Sequence, residues 1–305
     1  MDGGEKILIR IRGVRGSYPV PGQRTLTFGG NTTCHEVRAG GRLFIFDAGT
    51  GIIPLGDEIM REKTRSDGMI NINLFLTHVH HDHTLGLLFF KPAYDRNTRL
   101  EIFGPRTFAG SVQQSLREIS VAPFHPVGLD EMGAEMCFTP LVGGEIIRFR
   151  ADGSPPEIVR LRETFVMMRG DVVVRVAANP NHTKIGVLHY RLDYAGKAYV
   201  FATDVEGTED GEPTLSAFAA GADVLAHDAQ YTDYDYYSNT PPKRGWGHST
   251  YRMACATARR AGVKKLVLIH HDPDRDDAAL QALESEAQAI FPETVAAREG
   301  MTIEI

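Results

Sequence analysis

Cysteine is scarce in this chain: Cys34, Cys137 and Cys255 are the only three in 305 residues. Their odd number, wide spacing and lack of a Cys-x-x-Cys pair exclude a disulfide framework and point to free thiols in a reducing compartment. A cationic surplus is missing as well. Lys and Arg number 33 against 39 Asp and Glu, a net charge of −6, so nothing draws the whole molecule toward a polyanion. No apolar run approaches the length of a membrane span, and the stretch from Met1 to Lys6 has neither the cationic start nor the apolar core of a signal peptide. These absences lead us to expect a cytoplasmic protein with no membrane partner. Repeats, low-complexity tracts and linkers are also absent by eye, and 42% hydrophobic with 24% charged residues is ordinary for a globular enzyme. The expectation is one layered α/β domain over residues 1–305.

Histidine is concentrated in one place. Asn71 to Leu76 is an apolar-rich run that reads as a buried strand, and it leads directly into Thr77-His78-Val79-His80-His81-Asp82-His83. A period of two at the strand end points His78 and His80 the same way, while Asp82 and His83 fall on the turn into a short helix. Imidazole and carboxylate suit a borderline cation such as Zn²⁺, and four such ligands within six residues are too many for one tetrahedral ion that also binds elsewhere. Two metals are the economical reading.

Further chemistry-bearing residues recur at strand ends or in the loops after them. Strands are expected at Ile7–Ile11, Cys34–Arg38 and Leu43–Phe46, the last running into Asp47, with a helix from Ile52 to Lys63. The glycine-flanked Asn31 and Thr32 read either as a tight turn or as ligand contacts. A helix is expected over 84–90, a strand over 100–103 and a helix opening at Gly104-Pro105, whereas in 120–152 the periodicity fails around Pro123, Pro126 and Pro140. Strands at 157–162 and 171–177 lead to His182, and a hairpin over 186–201 leads to Asp204. A strand at 223–226 ends in His227-Asp228, a helix over 249–261 follows Gly247-His248, and a strand at 263–269 delivers His270-His271. A helix over 276–290 and a strand at 301–305 complete the pattern.

His-x-His-x-Asp-His after a hydrophobic strand resembles the signature of the metallo-β-lactamase superfamily, and the likeness extends over nearly the whole chain. The resemblance implies an αββα four-layer sandwich, two mixed sheets flanked by helices. It also implies the ligand assignment: His78, His80 and His182 on one divalent ion, and Asp82, His83 and His270 on the other. Asp204 and a water or hydroxide lie between the two ions. His271 competes with His270, which is preferred because it comes first after its strand; His81 and His271 are then supporting or solvent-facing. Asp47 is implied to orient a metal-bound histidine, and the loop bearing Asn31 and Thr32 to lie at the mouth of the site. Zn²⁺ is the expected cofactor, with Mn²⁺ and Fe as alternatives.

Within that superfamily three features resemble the phosphodiesterase branch, which includes ribonuclease Z and smaller cyclic-phosphate diesterases. Asp204 stands where two-metal β-lactamases commonly use cysteine. Gly247-His248-Ser249-Thr250 is similar to the His-Ser-Thr motif of ribonuclease Z, whose histidine reaches the scissile phosphate, and His227-Asp228 is similar to that family's His-Glu pair. Asp stands here where the family has Glu, one methylene longer. The resemblance thus gives catalytic work to His248, Asp82 and Asp228, with Ser249 or Thr250 as a mere helix cap the competing reading. Ribonuclease Z often carries a long tRNA-gripping arm between the third ligand motif and the bridging aspartate, whereas here His182 and Asp204 are 22 residues apart with one hairpin between them. The expected substrate is therefore a small phosphodiester, such as a cyclic nucleotide or cyclic phosphate, and not a large RNA. A thioester or lactone hydrolase, a ribonuclease Z-like nuclease and a metal-bearing sensor without turnover are the alternatives. Relatives are frequently dimers, which leaves a homodimer open.

Overall fold

Strands here alternate between two apolar environments, not between oil and water. In the computed structural model, which describes residues 5–63, 68–106, 110–160, 165–180, 182, 186–238 and 240–305, Phe44 and Phe46 of one strand pack into one core while Leu43 and Ile45 pack into another. A sheet covered on both faces needs apolar residues at nearly every position, which is why its strands read as continuous hydrophobic runs.

The strands are β1 (Leu8–Gly13), β2 (Cys34–Ala39), β3 (Arg42–Phe46), β4 (Ile70–Phe75), β5 (Thr98–Pro105), β6 (Glu135–Leu141), β7 (Glu145–Phe149), β8 (Glu157–Arg160), β9 (Val172–Asn179), β10 (Val187–Tyr194), β11 (Lys197–Ala202), β12 (Val224–Asp228), β13 (Lys265–Ile269), β14 (Thr294–Ala296) and β15 (Thr302–Glu304). The first sheet has the order β15-β1-β2-β3-β4-β5-β6 and the second β14-β13-β12-β11-β10-β9-β7-β8. Each is mixed: β3 to β6 are parallel while β1, β2 and β15 pair antiparallel, and β11 to β14 are parallel while β7 to β11 form antiparallel pairs. Aromatic rings fill the space between the sheets. Phe75 stacks on Phe103 at 4.6 Å, and Phe46 meets Phe201 of the opposite sheet at 5.7 Å. Burying each such ring contributes roughly 1.5–3 kcal/mol.

Helices cover the outer faces. α1 (Ile52–Lys63) and α3 (Val112–Ile119) close a core over the first sheet, and α4 (Pro213–Phe218), α5 (Tyr251–Ala261) and α6 (Asp277–Ile290) close one over the second. The caps are local: the Thr250 hydroxyl accepts from Met253 N at 3.3 Å, Asp276 from Ala279 N at 2.9 Å, and Gly262 ends α5 at φ 63°. The short α2 (His81–Thr84) runs into a 3₁₀ turn over Leu85–Phe89. Among the described residues no helix is long and apolar enough to cross a membrane.

The structure corrects the sequence reading in three places. Residues 120–152 hold β6 and β7. Pro140 is tolerated because β6 is an edge strand, where a missing N–H removes no ladder bond. Gly143 and Gly144, at φ 96° and 88°, carry the chain from one sheet into the other. Gly104 and Pro105 do not open a helix; they extend β5, paired with Pro140 and Leu141, and α3 begins at Val112. The three-residue β14 was not foreseen, and of the strand expected over 157–162, residues 161 and 162 lie outside the described residues.

Candidate metal centre

Carboxyl ends of β3, β4, β11, β12 and β13, together with the loop after β9, converge on one cleft. Tyr190 Oη donates to Leu76 O at 2.6 Å and Leu188 N to Thr77 O at 2.9 Å, so β10 of the second sheet fixes the histidine segment of the first. From there the side chains assemble around Asp204. Its Oδ1 lies 3.7 Å from His78 Nε2 and 3.5 Å from His182 Nε2, and its Oδ2 lies 3.2 Å from His83 Nε2 and 3.4 Å from His270 Nε2. Each oxygen thus faces its own pair of imidazoles. His80 Nδ1 lies 2.8 Å from His78 Nε2, and Asp82 Oδ2 is 3.2 Å from both His83 Nε2 and His270 Nε2.

Two donor sets result, His78, His80, His182 and Asp204, and Asp82, His83 and His270, with the ligand atoms of each mutually within 4.8 Å. They fit divalent cations on chemical grounds. His83 Nε2 and His182 Nε2 are buried without a hydrogen-bond partner, a costly state that a coordinated ion relieves. The two sets suit a divalent metal.

The carboxylates and imidazoles of the cleft shift one another's charge. Burial alone would raise the Asp204 carboxyl, yet the facing imidazoles of His270 and His83 hold it well below the usual carboxylate range. Burial opposes the charge on Asp82 as well, but His83 and His270 hold its carboxyl well below the usual range. Burial opposes charge on His270, but Asp204, Asp82 and Asp228 raise it to about 9. Burial pushes His78 well down, aided by His83, and so favours the neutral ring that a metal requires.

Supporting contacts orient the rings. Asp47 Oδ2 accepts from His83 Nδ1 at 2.8 Å, and Thr77 holds that carboxylate through its N–H at 2.8 Å and its hydroxyl at 2.9 Å. Gln230 Oε1 lies 3.1 Å from His270 Nδ1, and Gly247 O lies 3.2 Å from His182 Nδ1. Gly247 has φ 88° and no room for a side chain, because a Cβ there would come within 2.4 Å of His182 Nδ1. The sequence does not mark Thr77, Gln230 or Gly247 as ring supports, because their partners lie far away in the chain or beside them only once folded.

His248 Nδ1 lies 2.8 Å from Asp228 Oδ2, its ring stacked on that of His270 at 4.9 Å between centroids. It also groups with Asp204 and His270 at ligand distance. The Asp228 carboxylate further accepts from Asp204 N at 3.1 Å, Gln230 N at 3.2 Å and Ser249 N at 3.0 Å. His227 is not brought to the cleft. Neighbours in a strand face opposite ways, so with Asp228 facing the site His227 turns outward, its Nδ1 on Asp228 O at 2.7 Å. Nor are Asn31 and Thr32 at the cleft: Asn31 bonds Glu299 through N and Nδ2 at 2.6 and 2.9 Å, and the Thr32 hydroxyl accepts from Thr50 N at 2.8 Å. Those bonds shape their own loop. His271 is fully buried, with Nε2 on Ala297 O at 3.0 Å, whereas His81 is exposed at the cleft. The cleft encloses about 450 Å³ and is lined by Ser17, His80, Asp82, Asp204, His248 and His270 among others.

Residues 42–271 match a family model described as the β-lactamase superfamily domain. The chain is 30% identical over 251 residues to ribonuclease Z of Mycobacterium avium, covering 78% of each. It is 27% identical over 277 residues to ribonuclease Z of Thermoplasma volcanium, covering 86% of this chain and 87% of that one. A metallo-β-lactamase fold protein of Bacillus subtilis matches with a TM-score of 0.67 at 15% identity, over 99% of this chain and 100% of that one.

Proposed function

The chain belongs to the metallo-β-lactamase superfamily, in the branch of its ribonuclease Z relatives, and from that premise we propose a two-metal hydrolase of small phosphodiesters such as a cyclic nucleotide or cyclic phosphate. His78, His80 and His182 would hold one ion and Asp82, His83 and His270 the other, with Asp204 shared; Zn²⁺ suits the nitrogen-rich set best, ahead of Mn²⁺ or Fe. A divalent pair supplies activation of water and neutralisation of charge on the phosphate.

The observation that carries the diester reading is the His248–Asp228 pair beside that centre. With Nδ1 engaged by Asp228, the other ring nitrogen is the one that can deliver a proton to a leaving alkoxide, and the carboxylate fixes the orientation of the ring that does so. A thioester, whose thiolate leaves without protonation, gives the pair no comparable task, and the substrate panel below separates a lactone, whose leaving group is also an alkoxide.

Relatives that are ribonuclease Z over most of their length favour a second reading, an RNA-processing nuclease. Two features weigh against a large RNA. The β10–β11 hairpin occupies the interval between His182 and Asp204 and leaves no length for a gripping arm. The net charge of −6 offers no general phosphate attraction. The metal-reconstituted protein should hydrolyse bis(p-nitrophenyl) phosphate faster than a panel of lactones and thioesters, and a chelator should abolish that turnover; preference for a lactone or thioester would reverse the assignment.

A further inference from the structure

Five residues other than glycine have positive φ among the described residues: Ser17, Asp47, Ala195, Asp204 and His270. Left-handed backbone is costly for any residue with a Cβ and persists where the surroundings impose it, commonly at a functional site. Ala195 lies in the β10–β11 hairpin turn, an ordinary place for that conformation. Asp47, Asp204 and His270 all belong to the metal centre. Ser17, at φ 64°, is the remaining one, and it has no metal to hold.

We propose that Ser17 contacts the substrate, its hydroxyl donating a hydrogen bond to a non-bridging oxygen of the phosphodiester; the inference rests on the phosphodiester reading of the cleft. Ser17 is exposed and lines the cleft beside Asp82, His248 and His270. Its N–H donates to Asp82 Oδ2 at 2.7 Å, which fixes the backbone against a metal-site carboxylate. Its Oγ accepts from Gln230 Nε2 at 3.3 Å, and the same amide's oxygen lies 3.1 Å from His270 Nδ1. A hydroxyl used as an acceptor keeps its own proton to donate elsewhere. Gly16 presses the segment onto the site, since a Cβ there would come within 2.4 Å of the His270 ring. The N–H bond to Asp82 needs only a backbone, and glycine would supply it without strain. What serine adds at this position is the hydroxyl.

The test uses the full-length, zinc-loaded protein with Ser17→Ala and Ser17→Gly. Both variants should retain the wild-type metal content, and Ser17→Gly should melt no lower than wild type because it relieves the left-handed backbone. Both should lose about 10- to 100-fold in kcat/KM on bis(p-nitrophenyl) phosphate, the range for one hydrogen bond to a charged group, and both should bind inorganic phosphate more weakly in calorimetry. Wild-type kcat/KM and phosphate affinity in either variant would overturn the inference. So would a loss confined to Ser17→Gly, or a fall in metal content that accounts for the loss, since each assigns the effect to backbone support of Asp82. Failure of the wild-type protein to hydrolyse any diester would instead sink the phosphodiester reading, while the phosphate titration still compares Ser17 with its variants.

Discussion

His248 is where the metal and diester arguments separate. Under the proposal it acts on the leaving group and not as a ligand, so His248→Ala should leave metal content and fold intact while lowering kcat by ~10²–10⁴-fold on a substrate with an alkoxide leaving group. A p-nitrophenyl ester, whose leaving group needs little protonation, should suffer much less. Equal losses on both substrates would point to charge stabilisation over proton donation, and a fall in bound metal would make His248 a ligand. Asp228→Asn should reproduce the same ratio in milder form. It should also cost roughly 1–3 kcal/mol in stability, because the carboxylate accepts from three backbone N–H groups and one amide oxygen cannot serve them all. Asp204→Ala is expected to lower bound metal and abolish turnover, since each of its oxygens faces a different pair of imidazoles; a variant with two ions per chain and full activity would refute the shared role. At this scale the histidine segment was legible because most of its candidate ligands are adjacent in the chain. Ser17, Thr77 and Gln230 were not, because their tasks depend on a backbone angle or on segments far away in sequence.

Among the elements, β2 contains a group whose titration links fold to pH. His35 is buried between the sheets, its Nδ1 2.6 Å from Tyr199 Oη, and burial lowers its pKa to about 3. Between about 3 and the ordinary histidine value near ~6.5, the unfolded chain binds a proton there that the folded chain does not. Stability therefore rises with pH across that window and falls as pH drops through it, with His35 contributing a slope of ~1.4 kcal/mol per pH unit. Chemical denaturation of His35→Gln over pH 4 to 6 should show a pH dependence flatter by about one proton; an unchanged slope would mean that the ring takes up its proton without unfolding. Elements built on long apolar runs or clear caps, such as β3, β4, α5 and α6, were legible before the structure. β6 was hidden by Pro140, which an edge position tolerates, and β14 is only three residues long. Neither carries a period that sequence alone can display.

For the whole molecule, the open question is the size of what enters the cleft. The two-sheet architecture gathers strand ends and loops from Asp47 to His270 into one site, and the layered order was readable from alternating strands and helices. The volume and lining of the cleft were not, because they arise from residues such as Ser17 and His182 that approach from different parts of the chain. The ribonuclease Z relatives and the short β10–β11 hairpin between His182 and Asp204 make opposite suggestions about substrate. The most direct measurement compares kcat/KM of the zinc-loaded protein on a panel of cyclic nucleotides with its kcat/KM on precursor tRNA at the same physiological salt. The account predicts metal-dependent opening of at least one cyclic diester and little processing of the tRNA trailer. Efficient, site-specific trailer cleavage with no cyclic diester opened would contradict it.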